Sequence, residues 1–274
     1  TGPEAARLMA LVMLVISISP MLAPLGGTLI MTLSDWRGIF WFMAAAALLS
    51  IAMTVLMQAE TLPRELRVPV NVPNLLSGSR DLLCDPYFLG LTFVGGFGMA
   101  SFFVFIATAS FVYTGHYGLS PTGFSLAFAI NALGFFTASQ FAGPLGARHG
   151  MRRVVWLATA GFAFFAVALY AFGLVFGLPL PVLVVGLILA NACLGLVIPS
   201  TMVMALDEHG DRAGLASSLG GTLQMMAGAG MIALAGPFLD GSPIPMTAAI
   251  AGCATLALAL AFLTLGRRQS LPAT

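Results

Sequence analysis

Residues 182–206 read VLVVGLILANACLGLVIPSTMVMAL and contain no Asp, Glu, Lys, Arg or His. A run of about 20 apolar residues is long enough to cross the hydrocarbon core of a membrane as a helix. In lipid the backbone must satisfy its own hydrogen bonds, which a helix does within one segment. This stretch therefore predicts a transmembrane helix.

Reading outward from it gives further stretches of similar length and hydropathy. The eight predicted spans are Leu8–Leu33, Gly38–Gln58, Tyr87–Tyr113, Pro121–Leu145, Val154–Leu178, Val182–Leu206, Gly214–Leu239 and Ile244–Gly266. Ser120-Pro121 is a typical helix start, and Asp240-Gly-Ser-Pro243 a typical break. The first span has too long an apolar run for a cleaved signal peptide. The expected fold class is an all-α integral membrane protein.

The composition supports this class. Hydrophobic residues make up 59% of the chain and charged residues 8%, and the mean hydropathy is +1.00. Because a soluble domain carries about 25% charged residues, these values exclude a water-soluble protein. No basic patch alternates with aromatic residues, so we expect no nucleic-acid partner. The three scattered cysteines form neither a disulfide framework nor a zinc site, and we expect no metal and no cofactor.

The arginines orient the chain in the membrane. The sequence has no lysine, and Arg37 is the one arginine that falls on the opposite side from the rest once the spans are drawn. The ten on the shared side are Arg7, Arg64, Arg67, Arg80, Arg148, Arg152, Arg153, Arg212, Arg267 and Arg268. Since basic loops stay in the cytoplasm, both ends of the chain are expected there.

Residues 59–86 contain Pro63, Pro69 and Pro73 among charged residues and are too polar to enter the membrane. They divide the predicted spans two plus six. We therefore expect residues 1–58 to hold the last two helices of an N-terminal bundle. Residues 59–86 would be a cytoplasmic linker, and residues 87–274 a complete six-helix C-terminal bundle.

No acidic residue, histidine or arginine falls inside a predicted span. A proton or ion site in the bilayer usually needs an ionisable side chain. A proton-binding carboxylate is therefore expected outside these spans or at an edge, such as Asp35. An intramembrane enzyme would need a nucleophile with its base, paired carboxylates or metal ligands, so the chain is predicted not to be an enzyme.

A few amides do lie within spans. Asn131 and Gln140 are nine residues apart, so they point to roughly opposite faces of one helix. Two interpretations stay open for such residues: they hydrogen-bond between helices, or they face a central cavity and contact a ligand. The candidates for a substrate cavity are Asn131, Asn191 and Gln224. Glycines such as Gly95 and Gly228 predict close helix packing, with a bending point as the alternative.

Four residues of the first span, Pro20, Pro24, Gly26 and Gly27, should kink its helix. This stretch, residues 18–27 (ISPMLAPLGG), is followed by residues 36–42 (WRGIFWF) and 60–63 (ETLP). Together they resemble the fifth and sixth helices of the major facilitator superfamily, and more narrowly its Bcr/CflA drug:proton antiporters. Residues 143–153 (GPLGARHGMRR) resemble the superfamily's cytoplasmic loop motif, with Ala147 replacing an Asp. Residues 212–219 (RAGLASSL) resemble the start of the eleventh helix.

The resemblance implies a chain that corresponds to helices five to twelve, and the expectation is that Thr1 begins a truncated sequence without helices one to four. It assigns the antiporter-like gating motif to Pro20, Pro24, Gly26 and Gly27. It assigns the loop motif to Gly143, Arg148, Gly150, Arg152 and Arg153. In this family the proton-coupling acid usually lies in the N-terminal half. The resemblance also implies a bacterial cytoplasmic (inner) membrane protein that is monomeric at full length.

The function that follows is proton-coupled efflux of drugs or other small amphiphilic molecules by alternating access, in which two bundles rock about a midplane site. Its partners would be a drug-like small molecule, protons and the lipid bilayer. Two alternatives stay open. One is a metabolite transporter of the same superfamily, for example for sugars, and the other is a truncated remnant that transports nothing.

Overall fold

A computed structural model describes residues 26–27, 29–57 and 72–266 of the chain. Within these ranges the backbone forms helices joined by short turns and no strands. The α-helices are α1 (Trp36–Met57), α2 (Val72–Cys84), α3 (Pro86–Ser110), α4 (Pro121–Gln140), α5 (Ala142–His149), α6 (Met151–Phe176), α7 (Leu180–Asp207), α8 (Ala213–Ala235) and α9 (Pro243–Gly266). The chain forms two compact units, residues 1–72 and residues 73–274.

Seven helices in the described ranges are long and apolar enough to cross a membrane. They are Trp36–Met57, Pro86–His116, Pro121–His149, Met151–Phe176, Leu180–Asp207, Ala213–Phe238 and Pro243–Gly266. They confirm the predicted all-α membrane class and match the second to eighth predicted spans. Of the first predicted span, Leu8–Leu33, only Gly26, Gly27 and residues 29–33 are described, and these are helical. Pro20 and Pro24 lie outside the described residues.

Helix α1 lies in the first of the two units. None of its residues is buried, and the side chain of Trp41 is 76% exposed. At its start, Asp35 Oδ1 accepts a hydrogen bond from the Arg37 backbone nitrogen at 3.0 Å. The Arg37 guanidinium also lies 4.4 Å from the centre of the Trp36 ring. Arg37 thus packs its charge against an aromatic ring at the end of a span, where Trp commonly lies at a membrane interface.

Two features of the backbone were not part of the sequence expectation. The predicted linker contains a helix, α2, which the polar composition of residues 59–86 did not indicate. The predicted span Pro121–Leu145 is interrupted at Phe141, where α4 gives way to α5. Pro144 explains the interruption, because proline has no N–H to donate to the carbonyl four residues earlier, at Gln140, and its ring clashes with that carbonyl.

The predicted start of α4 is confirmed, and α3 begins in a related way. Ser120 Oγ accepts from the Gly123 backbone nitrogen at 3.1 Å, with Pro121 in the first helical turn. Asp85 Oδ1 accepts from the Tyr87 backbone nitrogen at 2.9 Å, with Pro86 following. Both are N-caps that satisfy a donor left free at a helix start. Gly241, at φ +83°, turns the chain in the predicted break before α9.

Helices α3 to α9 form a six-span bundle in residues 86–266. Helix α3 is the most buried span and packs on α7, α8 and α9. Helix α4 packs on α7, while α6 packs on both α7 and α9. One apolar core surrounds Phe105, Phe162 and Leu187, and a second surrounds Phe88, Val155 and Val197. Cys253 and Cys193, buried and partly buried in the spans, are free thiols.

Candidate functional site

Asn131 of α4 and Asn191 of α7 meet inside the six-span bundle. The amide nitrogen of Asn191 donates to Oδ1 of Asn131 at 3.2 Å. The amide nitrogen of Asn131 donates in turn to the Ala127 carbonyl at 3.3 Å. The two residues are only 1% and 4% exposed, so the pair is packed between helices and reaches no open surface. The pair therefore agrees with the first interpretation of the span amides, in which they hydrogen-bond between helices.

Tyr113 lies beside this amide pair. Its side chain is fully buried, and its hydroxyl is next to Asn131 but makes no hydrogen bond there. Phe124 packs against the ring at 6.1 Å between centres. A buried hydroxyl without a partner is uncommon in folded proteins, because leaving it unpaired costs about 1–3 kcal/mol. Tyr113 was not predicted as a site residue, since a tyrosine near the end of a span is usually an interface anchor.

The backbones of α4 and α7 approach closely one turn from the amide pair. A Cβ added to Gly195 would overlap the carbonyl oxygen of Phe135. Real Cβ atoms do not come so near to a backbone oxygen, so this contact requires glycine. Glycine lets two membrane helices pack at short range. The amide pair and Gly195 therefore lie on one contact between α4 and α7, along which the two helices run parallel.

Gln224 of α8 lies at a different junction. A Cβ on Gly95 of α3 would be 3.0 Å from Gln224 Nε2 and 2.7 Å from Thr201 Oγ1 of α7. Three helices therefore meet over Gly95, in agreement with the close-packing interpretation of this glycine. Gln224 is 7% exposed, and its side-chain amide makes no hydrogen bond to another described residue. The three cavity candidates thus divide into a bonded pair, Asn131 with Asn191, and the separate Gln224.

Gly26 and Gly27 are the described part of the gating motif. Both are helical, and a Cβ at either position would meet no described atom within 4 Å. Close packing therefore does not explain this glycine pair within the described residues. Pro20 and Pro24 fall outside them, so the role of the motif stays a prediction.

The connections at one end of the bundle carry most of its charge. We call this the arginine end; it holds the start of α3, the α5–α6 turn, the α7–α8 connection and the last turn of α9. Within the loop motif, Arg152 donates from Nη2 to the Leu265 carbonyl in the last turn of α9. Gly150 makes the turn before α6 with φ +83°, and Gly143 is exposed. Arg148 and Arg153 are exposed and form no ion pair with a described carboxylate.

A histidine–aspartate hydrogen bond and an arginine–aspartate ion pair tie the α7–α8 connection to residues 81–85. His209 Nε2 lies 2.9 Å from Asp85 Oδ2, and Arg212 Nη1 lies 2.7 Å from Asp81 Oδ2. The His209 ring also packs edge-on against Phe88, with 5.5 Å between ring centres. Both pairs join residues more than a hundred positions apart, which is why the sequence did not indicate them.

The opposite end of the bundle is held by an uncharged contact. The Tyr117 hydroxyl donates to the carbonyl of Leu178, which connects the α3–α4 turn to the α6–α7 turn. Burial raises the pKa of the Tyr117 phenol above its ordinary value of 10.0, because the charged phenolate is poorly solvated there. The phenol is therefore a neutral donor throughout the physiological range.

The interiors of the described spans carry no ionisable Asp, Glu, His or Arg; such residues lie in first or last turns. The described residues contain no group of three or more His, Cys, Asp or Glu that could hold a metal ion. The chemistry available inside the bundle therefore consists of amides, hydroxyls, thiols, thioethers, aromatic rings and aliphatic surface.

Comparison with known proteins assigns a family resemblance. The sequence profile of the Major Facilitator Superfamily matches residues 1–120. An MFS-type transporter of Bacillus subtilis, YdgK, is 30% identical over 250 residues, which cover 90% of this chain and 62% of that protein. A bicyclomycin resistance protein homolog of Haemophilus influenzae is 26% identical over 267 residues, covering 95% of this chain and 66% of that protein. The chain thus spans about two thirds of the length of these relatives.

Proposed function

Since the chain is a relative of the major facilitator superfamily, as its sequence motifs predicted, we propose that it is part of a transporter that exports drug-like amphiphilic molecules in exchange for protons. The observation that carries the proposal is the similarity to the bicyclomycin resistance protein homolog along 95% of this chain. The interior of the described spans suits such cargo, because amides, hydroxyls and apolar rings contact uncharged surfaces without needing an opposite charge.

We assign the substrate contact in this part of the chain to Gln224. Its amide is nearly buried, has no partner among the described residues and faces the Gly95–Thr201 junction of three helices. An amide without a protein partner gains a hydrogen bond when a ligand carbonyl or hydroxyl binds beside it. The Asn131–Asn191 pair is already bonded internally and would act by holding α4 to α7.

Alternating access requires a helix that changes shape, and the proposed one is the span that contains Pro20, Pro24, Gly26 and Gly27. Prolines remove backbone hydrogen bonds and glycines bend easily, so this span would flex as the two bundles rock. Leucine at Gly27 would restrict that motion. The open surroundings of Gly27 within the described residues support this test, because the added side chain has room there.

The first test measures proton-coupled transport in inverted membrane vesicles from cells that express the native gene with a C-terminal tag. Respiration acidifies the vesicle lumen, and bicyclomycin is the first compound to add because the Haemophilus relative bears its name. We expect the compound to dissipate the pH gradient in vesicles with the protein and not in empty-vector vesicles. A panel of compounds and labelled sugars without any response would refute drug and metabolite transport alike.

Variants then separate the roles. Gly27→Leu and Pro24→Leu should abolish the response while the tagged protein still inserts into the membrane, and Gly230→Leu, at another open glycine, should preserve it. Gln224→Leu should reduce the response at least tenfold, whereas Thr222→Val on the same helix should not. Full activity in Gly27→Leu would refute the gating role, and full activity in Gln224→Leu would refute the substrate contact.

A further inference from the structure

A surface cleft lies between the start of α6 and the end of α9 at the arginine end, with a volume of about 600 Å³. We call it the arginine cleft. Its lining has a basic part, His149, Arg152 and Arg153, and an apolar part that we call the apolar wall, Trp156, Leu157 and Phe262. The basic residues precede or begin α6, and the apolar ones continue one turn further into the spans. Charge and apolar surface are therefore arranged along the direction that leads from the membrane surface into its core.

Within the part of the chain that the structure describes, no carboxylate neutralises the charge of this cleft. No described carboxylate forms an ion pair with Arg152 or Arg153, whereas Arg212 and Arg37 each have an aspartate. Arg152 uses one N–H group on the Leu265 carbonyl, and a guanidinium has five. Two adjacent cations repel each other, and the start of α6 adds the positive end of a helix dipole. An anion bound here would relieve this repulsion and accept several charge-assisted hydrogen bonds.

The apolar wall favours a lipid over a small soluble anion. Trp156, Leu157 and Phe262 are 40%, 57% and 65% exposed on the surfaces of two predicted membrane spans. A soluble anion would leave these side chains uncovered, whereas an acyl chain would cover them. By contrast, a groove of about 450 Å³ between α6 and α7 is lined by apolar residues alone, such as Phe165 and Val185, and offers nothing to a phosphate.

We propose that the arginine cleft binds an anionic phospholipid. The phosphate lies against Arg152 and Arg153, and an acyl chain follows the wall formed by Trp156, Leu157 and Phe262. Basic pockets between helices at the membrane surface recognise anionic headgroups in this way. The proposal needs only that the helices span a membrane, so it does not depend on whether the protein transports a drug.

Trp156 provides a direct measurement. The chain has three tryptophans, and replacing Trp36 and Trp41 with phenylalanine leaves Trp156 as the only fluorophore of that kind. This variant of the full chain is reconstituted into phosphatidylcholine vesicles that contain phosphatidylglycerol brominated on its acyl chains. Bromine quenches tryptophan on contact, so the quenching reports the lipid next to Trp156. We expect brominated phosphatidylglycerol to quench more strongly than brominated phosphatidylcholine at equal mole fraction.

Substitutions of single arginines test the site. Arg153→Gln should lower the relative affinity for phosphatidylglycerol about fivefold, the effect expected for one basic residue near a membrane surface. Arg152→Gln should act similarly, but it also removes the contact with Leu265, so its folding is checked by thermal unfolding. Arg148→Gln is the matched control, because Arg148 is exposed in the same loop but does not line the cleft. Its preference for phosphatidylglycerol should be unchanged.

Three outcomes would overturn the proposal. Equal quenching by both brominated lipids would show that the cleft does not select anionic headgroups. An equal loss in Arg148→Gln and Arg153→Gln would show a diffuse surface charge and no defined site. Excess inorganic phosphate in the buffer could also abolish the stronger quenching by brominated phosphatidylglycerol. That result would show that the cleft binds a free anion.

Discussion

Oδ2 of Asp85 lies 2.9 Å from Nε2 of His209, while the other carboxylate oxygen of Asp85 caps the first turn of α3. One carboxylate thus starts a central helix and holds the α7–α8 connection against it. Asp85→Ala should remove both contacts, and His209→Ala only one. We expect His209→Ala to lower the free energy of unfolding by about 1 kcal/mol.

Asp85→Asn separates the two roles of this carboxylate. Asparagine is also a good N-cap, so this variant should resemble His209→Ala, and Asp85→Ala should lose about 1 kcal/mol more. Thermal unfolding in detergent is the measurement. His149→Ala, an exposed histidine at the same end, should be neutral. Equal stability of Asp85→Asn and Asp85→Ala would contradict the capping role.

The contact between Gly195 and the Phe135 carbonyl predicts that a glycine-to-alanine change at this position lowers the stability of the bundle. In an open helical position, alanine is favoured over glycine by about 1 kcal/mol. At Gly195 the added Cβ would overlap the Phe135 carbonyl oxygen, so the helices must separate, at a cost of about 1–3 kcal/mol. Gly195→Ala should therefore destabilise the bundle, and Gly230→Ala, where nothing lies within 4 Å, should not. Equal unfolding temperatures for the two variants would contradict the predicted close contact.

The amide pair can be tested with a double-mutant cycle. Asn131→Leu and Asn191→Leu each leave one buried amide without its partner across the helices, so each single variant should lose stability. The double variant removes both amides, so neither is left buried without its partner. It should lose less than the sum of the single changes, with a coupling energy of about 0.5–2 kcal/mol. Strict additivity of the three unfolding free energies would show that the 3.2 Å contact contributes nothing.

Tyr117 predicts a pH dependence at the opposite end of the bundle. Its folded-state pKa is raised by burial, so the protonated phenol stabilises the fold fully below about pH 10. This contribution is lost as the pH rises through the folded-state pKa. Tyr117→Phe should lower stability at neutral pH by about 0.5–1.5 kcal/mol and make the alkaline loss less steep. Tyr170→Phe is the matched control, since no hydrogen bond of Tyr170 is present in the described structure, and it should retain the wild-type slope.

The membrane helices could be predicted because hydropathy and end signals are local properties of the chain. Helix α2 could not, since its polar sequence resembles that of a loop. The interruption at Phe141 follows from Pro144, so it could have been predicted from the sequence. The partners within the candidate site were not readable, because Asn131 and Asn191 are 60 positions apart and Asp85 and His209 are 124 apart. Sequence spacing alone does not say which faces of two distant helices meet.

The distance along the chain between Asn131 and Asn191 also sets an order of events during biosynthesis. Helix α4 leaves the ribosome 60 residues before the partner amide in α7. At about 5–20 residues per second, Asn131 waits roughly 3–12 seconds for that partner. Its hydrogen bond to the Ala127 carbonyl, within its own helix, needs no second helix and can form at once. Asn131 can therefore enter the bilayer with one amide N–H already bonded within its own helix. Its Oδ1 then accepts the hydrogen bond from Asn191 when α7 arrives.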